Sequence, residues 1–200
     1  MRVFCILALL FVLAGCGGKV PPLPKIGAND VIVAFGDSLT DGTGAAENES
    51  YPAVLAQLIG HEVLRAGVPG EVTAQGLQRL PAVLAEHRPK LVIVCLGGND
   101  MLHRINEAET IANLRAIVRQ VKENGAQAVL IGVPRPALLT SAPKFYAEIA
   151  QEFGLPYEGA AVTSVLYRRE LKSDSIHPNA AGYRKIAEAI AELLRKSGAV

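Results

Sequence analysis

The chain has no tryptophan, two methionines and three cysteines among its 200 residues. It also lacks an excess of charge of either sign, with 20 Lys and Arg against 19 Asp and Glu. Without basic blocks it has no electrostatic footprint for nucleic acid, whose binders set clustered Lys and Arg on phosphates. With no Trp, stacking platforms must come from five Tyr and five Phe, which disfavours a dedicated polysaccharide binder. HxxxH, HExxH and paired-Cys spacings are absent, so no metal is expected. GxGxxG and the P-loop pattern are absent too, so no nucleotide and no other cofactor is expected. Nineteen Gly and twelve Pro without a period exclude a collagen-like chain, and a composition that is 50% hydrophobic excludes disorder.

A long hydrophobic run is missing as well. Val3 to Leu13 spans 11 residues, where a membrane-crossing helix needs roughly 20. One Arg, a short apolar stretch and then small residues is the order of a secretory signal. Leu13-Ala14-Gly15-Cys16 resembles the lipobox of bacterial lipoproteins, which implies cleavage after residue 15 and a lipid on Cys16. Two or more acyl chains hold a protein at a bilayer stably where one is marginal. That resemblance implies a bacterial cell envelope, and Gly17 rather than Asp after the Cys implies sorting to an outer membrane. Residues 16–29 are Gly- and Pro-rich and read as a semi-extended tether, about 40 Å long when stretched. The folded domain is expected over 30–200. Once the signal is removed, the hydrophobic fraction is about 47%, an ordinary value. With Cys5 in the signal and Cys16 lipidated, Cys95 has no disulfide partner, and its run LVIVCL reads as buried core.

From residue 30 on, apolar runs alternate with helical periodicity. Val31 to Phe35, Glu62 to Arg65, Leu91 to Leu96, Ala128 to Val133 and Leu155 to Tyr157 read as strands. Between them, helices are expected from Ser50 to Ile59, around Leu77, Leu80 and Leu84, through Ile111, Leu114, Val118 and Val121, over about 143–153, and from Asn179 through Leu194. Pro81 is expected to break or restart the second of these. Continuous apolar strands alternating with helices indicate a parallel sheet covered on both faces: a three-layer α/β/α domain of about five strands, taken as a monomer. In such sheets the ligand lies beyond the carboxyl ends of the strands.

The chemistry-bearing residues fall there. The first strand runs into Gly36-Asp37-Ser38-Leu39-Thr40-Asp41-Gly42, the second into Ala66-Gly67-Val68-Pro69-Gly70, and the third into Gly97-Gly98-Asn99-Asp100. Asp174-Ser175-Ile176-His177-Pro178-Asn179 precedes the last helix. Acyl transfer needs a nucleophile, a base, a group that orients the base, and donors for the oxyanion. Ser38 is the candidate nucleophile, His177 the base, Asp174 its orienting acid and Asn99 an amide donor. Gly67, lacking Cβ, lets backbone N–H approach closely. Each motif alone is as readily a turn or a helix start. Asp37 and Asp100 read as turn-forming side chains, and His61 and His87 as solvated.

Together, in this order, these blocks resemble the SGNH, or GDSL, esterase and lipase family, whose blocks centre on Ser, Gly, Asn and His. Ser38, Gly67, Asn99 and His177 stand at those four positions, and the similarity runs over 31–196. ESYPAVLAQL at 49–58 and Ala66-Gly67-Val68 are similar to its thioesterase I, lysophospholipase L1 and arylesterase-like branch. The resemblance implies a flavodoxin-like sheet of order 2-1-3-4-5 and a Ser38-His177-Asp174 triad. It also implies an oxyanion hole made by the Ser38 and Gly67 N–H groups and the Asn99 amide. Pro69 and Arg65 depart from the family's usual Ser and Asn. In relatives a mobile loop follows the Asn. Met101, Leu102 and His103 are therefore candidate pocket residues, as are Pro134 and Pro136 at the fourth strand's end. Arg168, Arg169 and Lys172 read as a solvated basic face.

Three readings follow. The first is a metal-free serine hydrolase of short or medium acyl esters, aryl esters, thioesters or lysophospholipids. The second, motivated by the envelope location, is a deacetylase of O-acetylated cell-wall or surface glycan. The third is a non-catalytic binding lipoprotein on the same scaffold.

Overall fold

A computed structural model describes residues 19–135 and 141–200. The signal, Cys16 and Pro136 lie outside the described residues. Five strands form one sheet: β1 (Ile32–Gly36), β2 (Val63–Gly67), β3 (Leu91–Cys95), β4 (Gln127–Ile131) and β5 (Tyr157–Glu158). All pairings are parallel and the spatial order is β2-β1-β3-β4-β5. Every residue of β1 and β3 is buried, which is why these two segments read as unbroken apolar runs: a central parallel strand has no wet face. β5 is shorter than expected and begins at its aromatic end, Tyr157.

The helices are α1 (Ser38–Asp41), α2 (Tyr51–Ile59), α3 (Thr73–His87), α4 (Gly98–Leu102), α5 (Glu107–Glu123), α6 (Lys144–Phe153), α7 (Ala161–Tyr167) and α8 (Ala180–Ser197). α2 and α7 pack against α8, while α3 and α6 pack against α5, giving two helical layers around the sheet. The stripe Leu114, Val118, Val121 of α5 and the stripe Ile186, Ile190, Leu194 of α8 are buried as their spacing requires. Cys95 is a buried free thiol. Asn179 caps α8 by accepting from Gly182 N–H at 3.1 Å. Ser50 sits at the N-cap of α2, but its hydroxyl turns back to donate to the Glu47 carbonyl at 2.9 Å. No helix of the described residues is long and apolar enough to cross a membrane.

Two expectations need correcting. Pro81 does not interrupt α3, which runs unbroken from Thr73 to His87. An interior Pro costs a helix about 3 kcal/mol. Leu80, Val83 and Leu84 are all buried beside it, each contributing about 1.5–3 kcal/mol of apolar transfer, and their sum outweighs the lost bond. The domain also begins packing before residue 30. Leu23 N–H donates to the Ser197 carbonyl and Ile26 N–H to the Ala199 carbonyl, both at 2.8 Å, and Ile26 is 2% exposed. The tail of the Gly/Pro stretch is thus a strap on the C-terminal end of α8. No local pattern announces it, because its partner lies some 170 residues away.

Since Pro81 is exposed, Pro81→Ala removes no packing and restores an N–H for the Leu77 carbonyl. It should raise unfolding stability by about 2 kcal/mol, the helix gain of about 3 less the entropy that Pro removes from the unfolded chain. Urea unfolding checks this; a variant no more stable than the parent would show that α3 accommodates Pro81 without cost.

Candidate active site

Four chain segments meet at the carboxyl edge of the sheet. β1 ends at Gly36, and Asp37 caps the single turn α1 by accepting from Leu39 N–H at 3.0 Å. Ser38 thereby becomes the first residue of α1 and is half-buried at the edge. β2 ends at Gly67 against the backbone of α1: a Cβ there would lie 2.2 Å from Asp41 N and 2.7 Å from the Asp37 carbonyl oxygen. No side chain fits, so only glycine lets β2 end so close to the backbone of α1. Beyond β3, Gly97 takes φ +107 and turns the chain into α4, which carries Asn99. The loop before α8 carries Asp174 and His177.

His177 Nε2 lies 3.0 Å from Ser38 Oγ, and His177 Nδ1 lies 2.7 Å from Asp174 Oδ2. The other oxygen, Asp174 Oδ1, accepts from the N–H groups of Ile176 and His177, each at 2.8 Å. Partial burial pushes the Asp174 carboxyl up, but these bonds from His177 and from the two N–H groups outweigh it and hold the group below its ordinary value. It stays ionised with Oδ2 free for the imidazole, although its side chain is 51% exposed. Asn99 Nδ2 donates to the Glu71 carbonyl at 3.0 Å and makes a longer contact of 3.3 Å with Asp37 Oδ2. The short bond fixes the amide. The long one holds the second hydrogen weakly, and that hydrogen would have to leave Asp37 to meet a developing oxyanion. The hydroxyl–imidazole–carboxylate relay, with backbone and amide donors beside it, is chemically equipped for nucleophilic acyl transfer.

The cleft around Ser38 and His177 is small and partly open to solvent, and its apolar walls are Leu39, Leu102, Val133, Pro134, Leu166 and Ile176. Of the pocket residues expected from sequence, Leu102 and Pro134 line it. Met101 instead lines a neighbouring cavity with Arg104, Thr110 and Phe145, and His103 is exposed at the end of α4. Successive helix residues point about 100° apart, so 101, 102 and 103 do not all face one cleft. Val133, Leu166 and Ile176 escaped the sequence reading because a wall residue and a core residue look alike in a sequence. Only Ile176, directly before His177, carried a positional hint.

Asp100 is not a turn former. Its carboxylate is buried and accepts from Thr73 N–H at 2.9 Å, from the Thr73 hydroxyl and from the Thr110 hydroxyl at 3.3 Å, tying α4 to α3 and α5. His61 and His87 are half-buried rather than solvated. Arg65, unusual at its position, donates to the Asp41 carbonyl and to Glu47, both at 2.8 Å, and so clamps the loop that follows α1. Arg168 and Arg169 are exposed, as expected of a solvated face, and Lys172 is half-buried. Asp37 is buried beneath Ser38. Burial, together with the charges of Glu71 and Asp100, raises its carboxyl from 3.8 to about 7 against the opposing bond from Leu39 N–H.

The chain is similar to known proteins in sequence and in fold. A model of the GDSL-like Lipase/Acylhydrolase family matches residues 34–185. The Thioesterase 1/protease 1/lysophospholipase L1 of Escherichia coli (strain K12) is 31% identical over 179 residues, 86% of either chain. Esterase TesA of Pseudomonas aeruginosa is 28% identical over 191 residues, covering 89% of this chain and 94% of its own. Among solved structures, AlinE4, a SGNH-hydrolase family esterase, superposes with a TM-score of 0.66 at 31% identity, over 86% of this chain and 98% of its own.

Asp37 releases its proton near 3.8 in the unfolded chain but only near 7 in the folded one. Between those values the folded state holds a proton the unfolded state has lost, so stability falls as pH rises from about 4 to about 7. Relative to Asp37→Asn, the parent should lose up to about 4 kcal/mol across this window. Calorimetry of both proteins against pH measures it. A stability difference that does not change with pH would place the Asp37 carboxyl at its ordinary value.

Proposed function

This chain belongs to the GDSL-like Lipase/Acylhydrolase family and is an ester hydrolase; on that premise we propose that it cleaves short or medium acyl esters, aryl esters or thioesters through an acyl-enzyme on Ser38. The observation that carries the reading is the unbroken relay from Ser38 Oγ to His177 at 3.0 Å and on to Asp174 at 2.7 Å. His177 Nε2 takes the hydroxyl proton as Ser38 Oγ bonds to the acyl carbon. The carbonyl oxygen becomes an oxyanion beside the N–H groups of Ser38 and Gly67 and the amide of Asn99. His177 returns the proton to the departing alcohol or thiol, then activates the water that releases the acid. Asp174 stays ionised, holds the imidazole tautomer and stabilises its cation. The walls made by Leu39, Val133, Leu166 and Ile176 suit an acyl chain, and their short extent favours chains of few carbons.

The proposed anchor bears on the substrate. With a lipid on Cys16, seven residues precede the docked Leu23, a reach of about 23 Å. The strap joins the far end of α8, whose 18 residues span about 27 Å from the His177 loop. The tether then joins the domain at the end opposite the His177 loop, which favours esters arriving from the aqueous side over lysophospholipids within that leaflet. The same outward placement suits acetyl groups on envelope glycan, the second reading.

Ser38→Ala should abolish hydrolysis of p-nitrophenyl butyrate with the fold retained, and Asp174→Asn should lower kcat on the order of 10²–10⁴-fold. Retained activity in Ser38→Ala would overturn the assignment. Across a p-nitrophenyl ester series, kcat/KM should peak at short or medium chains. A profile confined to acetate, with acetate released from O-acetylated peptidoglycan, would select the glycan reading. Failure of a fluorophosphonate to label Ser38 would leave a binding protein.

A further inference from the structure

A second cavity beside the cleft has no part in the relay. It measures about 300 Å³, at the lower end of the range of small-molecule sites, and its floor is Met101, Ile105 and Phe145. It shares no lining residue with the cleft at Ser38, but the two adjoin along the chain. Leu102 and Pro134 wall the cleft, while their immediate neighbours Met101 and Arg135 wall the cavity. Leu102 is 41% exposed, so a substrate too long for the small cleft can extend across it.

Two guanidinium groups and one carboxylate line this cavity: Arg104, Arg135 and Glu107. Glu107, in the first turn of α5, holds Arg135 through Nη2, which leaves the remaining N–H groups of that guanidinium for a ligand. Arg104 makes no ion pair among the described residues, and residues 136–140, Pro-Ala-Leu-Leu-Thr, contain no acid to supply one. Its backbone position is also unfavourable to arginine. Arg104 closes α4 in the left-handed region at φ +56, one of two non-glycine residues with positive φ among those described. Its N–H donates to the Met101 carbonyl at 3.3 Å, and Ile105 N–H donates to the Asp100 carbonyl at 2.9 Å. In this helix-end pattern the left-handed residue is usually glycine. Glycine would be the more stable choice, so the fold alone does not call for arginine there. Strain of this kind gathers at ligand sites.

We propose that Arg104 and Arg135 form an anion subsite that receives a carboxylate or phosphate carried by the ester, so that the chain prefers anionic esters to neutral ones. This rests on the reading that Ser38 performs ester hydrolysis in the adjoining cleft. A planar guanidinium meets either anion through two parallel N–H bonds, and the apolar floor covers the carbons that join the anion to the ester. Glu107 orients Arg135 and leaves the lining with one net positive charge. A charged ester is water-soluble, which agrees with delivery from the aqueous side. Either part of the ester, acyl group or alcohol, can bear the anion, and the two arms of the test separate them.

The test compares each anionic ester with its own neutral methyl ester. The acyl arm pairs p-nitrophenyl hydrogen adipate with methyl p-nitrophenyl adipate. The alcohol arm pairs 5-butyryloxy-2-nitrobenzoate with its methyl ester. In at least one arm the anionic-to-neutral ratio of kcat/KM should fall about tenfold in Arg104→Gly and in Arg135→Gln, the worth of a hydrogen bond to a charged group. Because both arginines are exposed, the parent's ratio should also shrink as NaCl rises from about 0.02 M to about 0.3 M. Arg104→Gly suits φ +56 and so keeps the fold; should Arg135→Gln not fold, Arg104→Gln is the second variant. A fall in the adipate ratio alone places the anion on the acyl group, and a fall in the nitrobenzoate ratio alone places it on the alcohol; either supports the subsite. Ratios that match the parent's in the variants overturn the subsite and leave ester hydrolysis standing. Failure of the parent to hydrolyse any of the four esters overturns the hydrolase reading and the subsite with it.

Discussion

The single turn α1 lies directly on the end of β2, with nothing but the Cα of Gly67 between the two backbones. A methyl group at that point would sit 2.2 Å from Asp41 N. Much of the site follows from this contact. It sets Ser38 at the first position of a helical turn, whose start Asp37 caps, and lays the Ala66–Gly67 peptide alongside it. It brings Tyr183 of α8 over the same turn, where its hydroxyl donates to the Thr43 carbonyl at 2.7 Å. α8 begins three residues after His177, so that bond also fixes the direction from which the imidazole approaches Ser38. A side chain at residue 67 would disturb the turn that carries the proposed nucleophile.

The carboxyl edge is held by buried polar groups. Asp37, Glu71 and Asp100 are each no more than 5% exposed, and burying acids is costly unless each finds donors. Asp100 takes a backbone N–H and two threonine hydroxyls, Glu71 takes the forked guanidinium of Arg79, and Asp37 takes one backbone N–H and the Asn99 amide. Asp37 is the least compensated, and burial raises its carboxyl to about 7. A hydrophobic edge would be more stable, but it would not orient an amide, a peptide and a one-turn helix around one point. Proteins commonly concede stability at sites for this reason. The layers beneath are ordinary apolar packing, and that rigidity lets loop-borne groups keep hydrogen-bond distances.

Much was legible beforehand because its cause is local. β1 and β3 announce themselves by five consecutive apolar residues, and α5 and α8 by stripes every three or four residues. Gly36, Gly67 and Gly97 mark where strands stop. The order of the strands came from the family resemblance, since alternation alone does not rank parallel neighbours. Pro81 misled because its local cost is real and only the burial of Leu80, Val83 and Leu84 overrides it. Asp100 misled because an Asp after Gly-Gly-Asn has the look of a turn, while its partners, Thr73 and Thr110, lie 27 and 10 residues away.

By itself the sequence determined the class of fold, the strand ends that carry Ser38, Gly67 and Asn99, and the late loop with Asp174 and His177, because periodicity and residue chemistry act over a few neighbours. Tertiary structure alone decided which apolar residues face the cleft rather than the core, where the strap at residues 23–26 docks, and which charged side chains meet at the carboxyl edge. Those outcomes depend on groups far apart in the chain arriving within 3 Å of one another. The fork of Arg79 on Glu71 and Ala66 follows from no spacing rule; it exists because α3 crosses the sheet where two strands end.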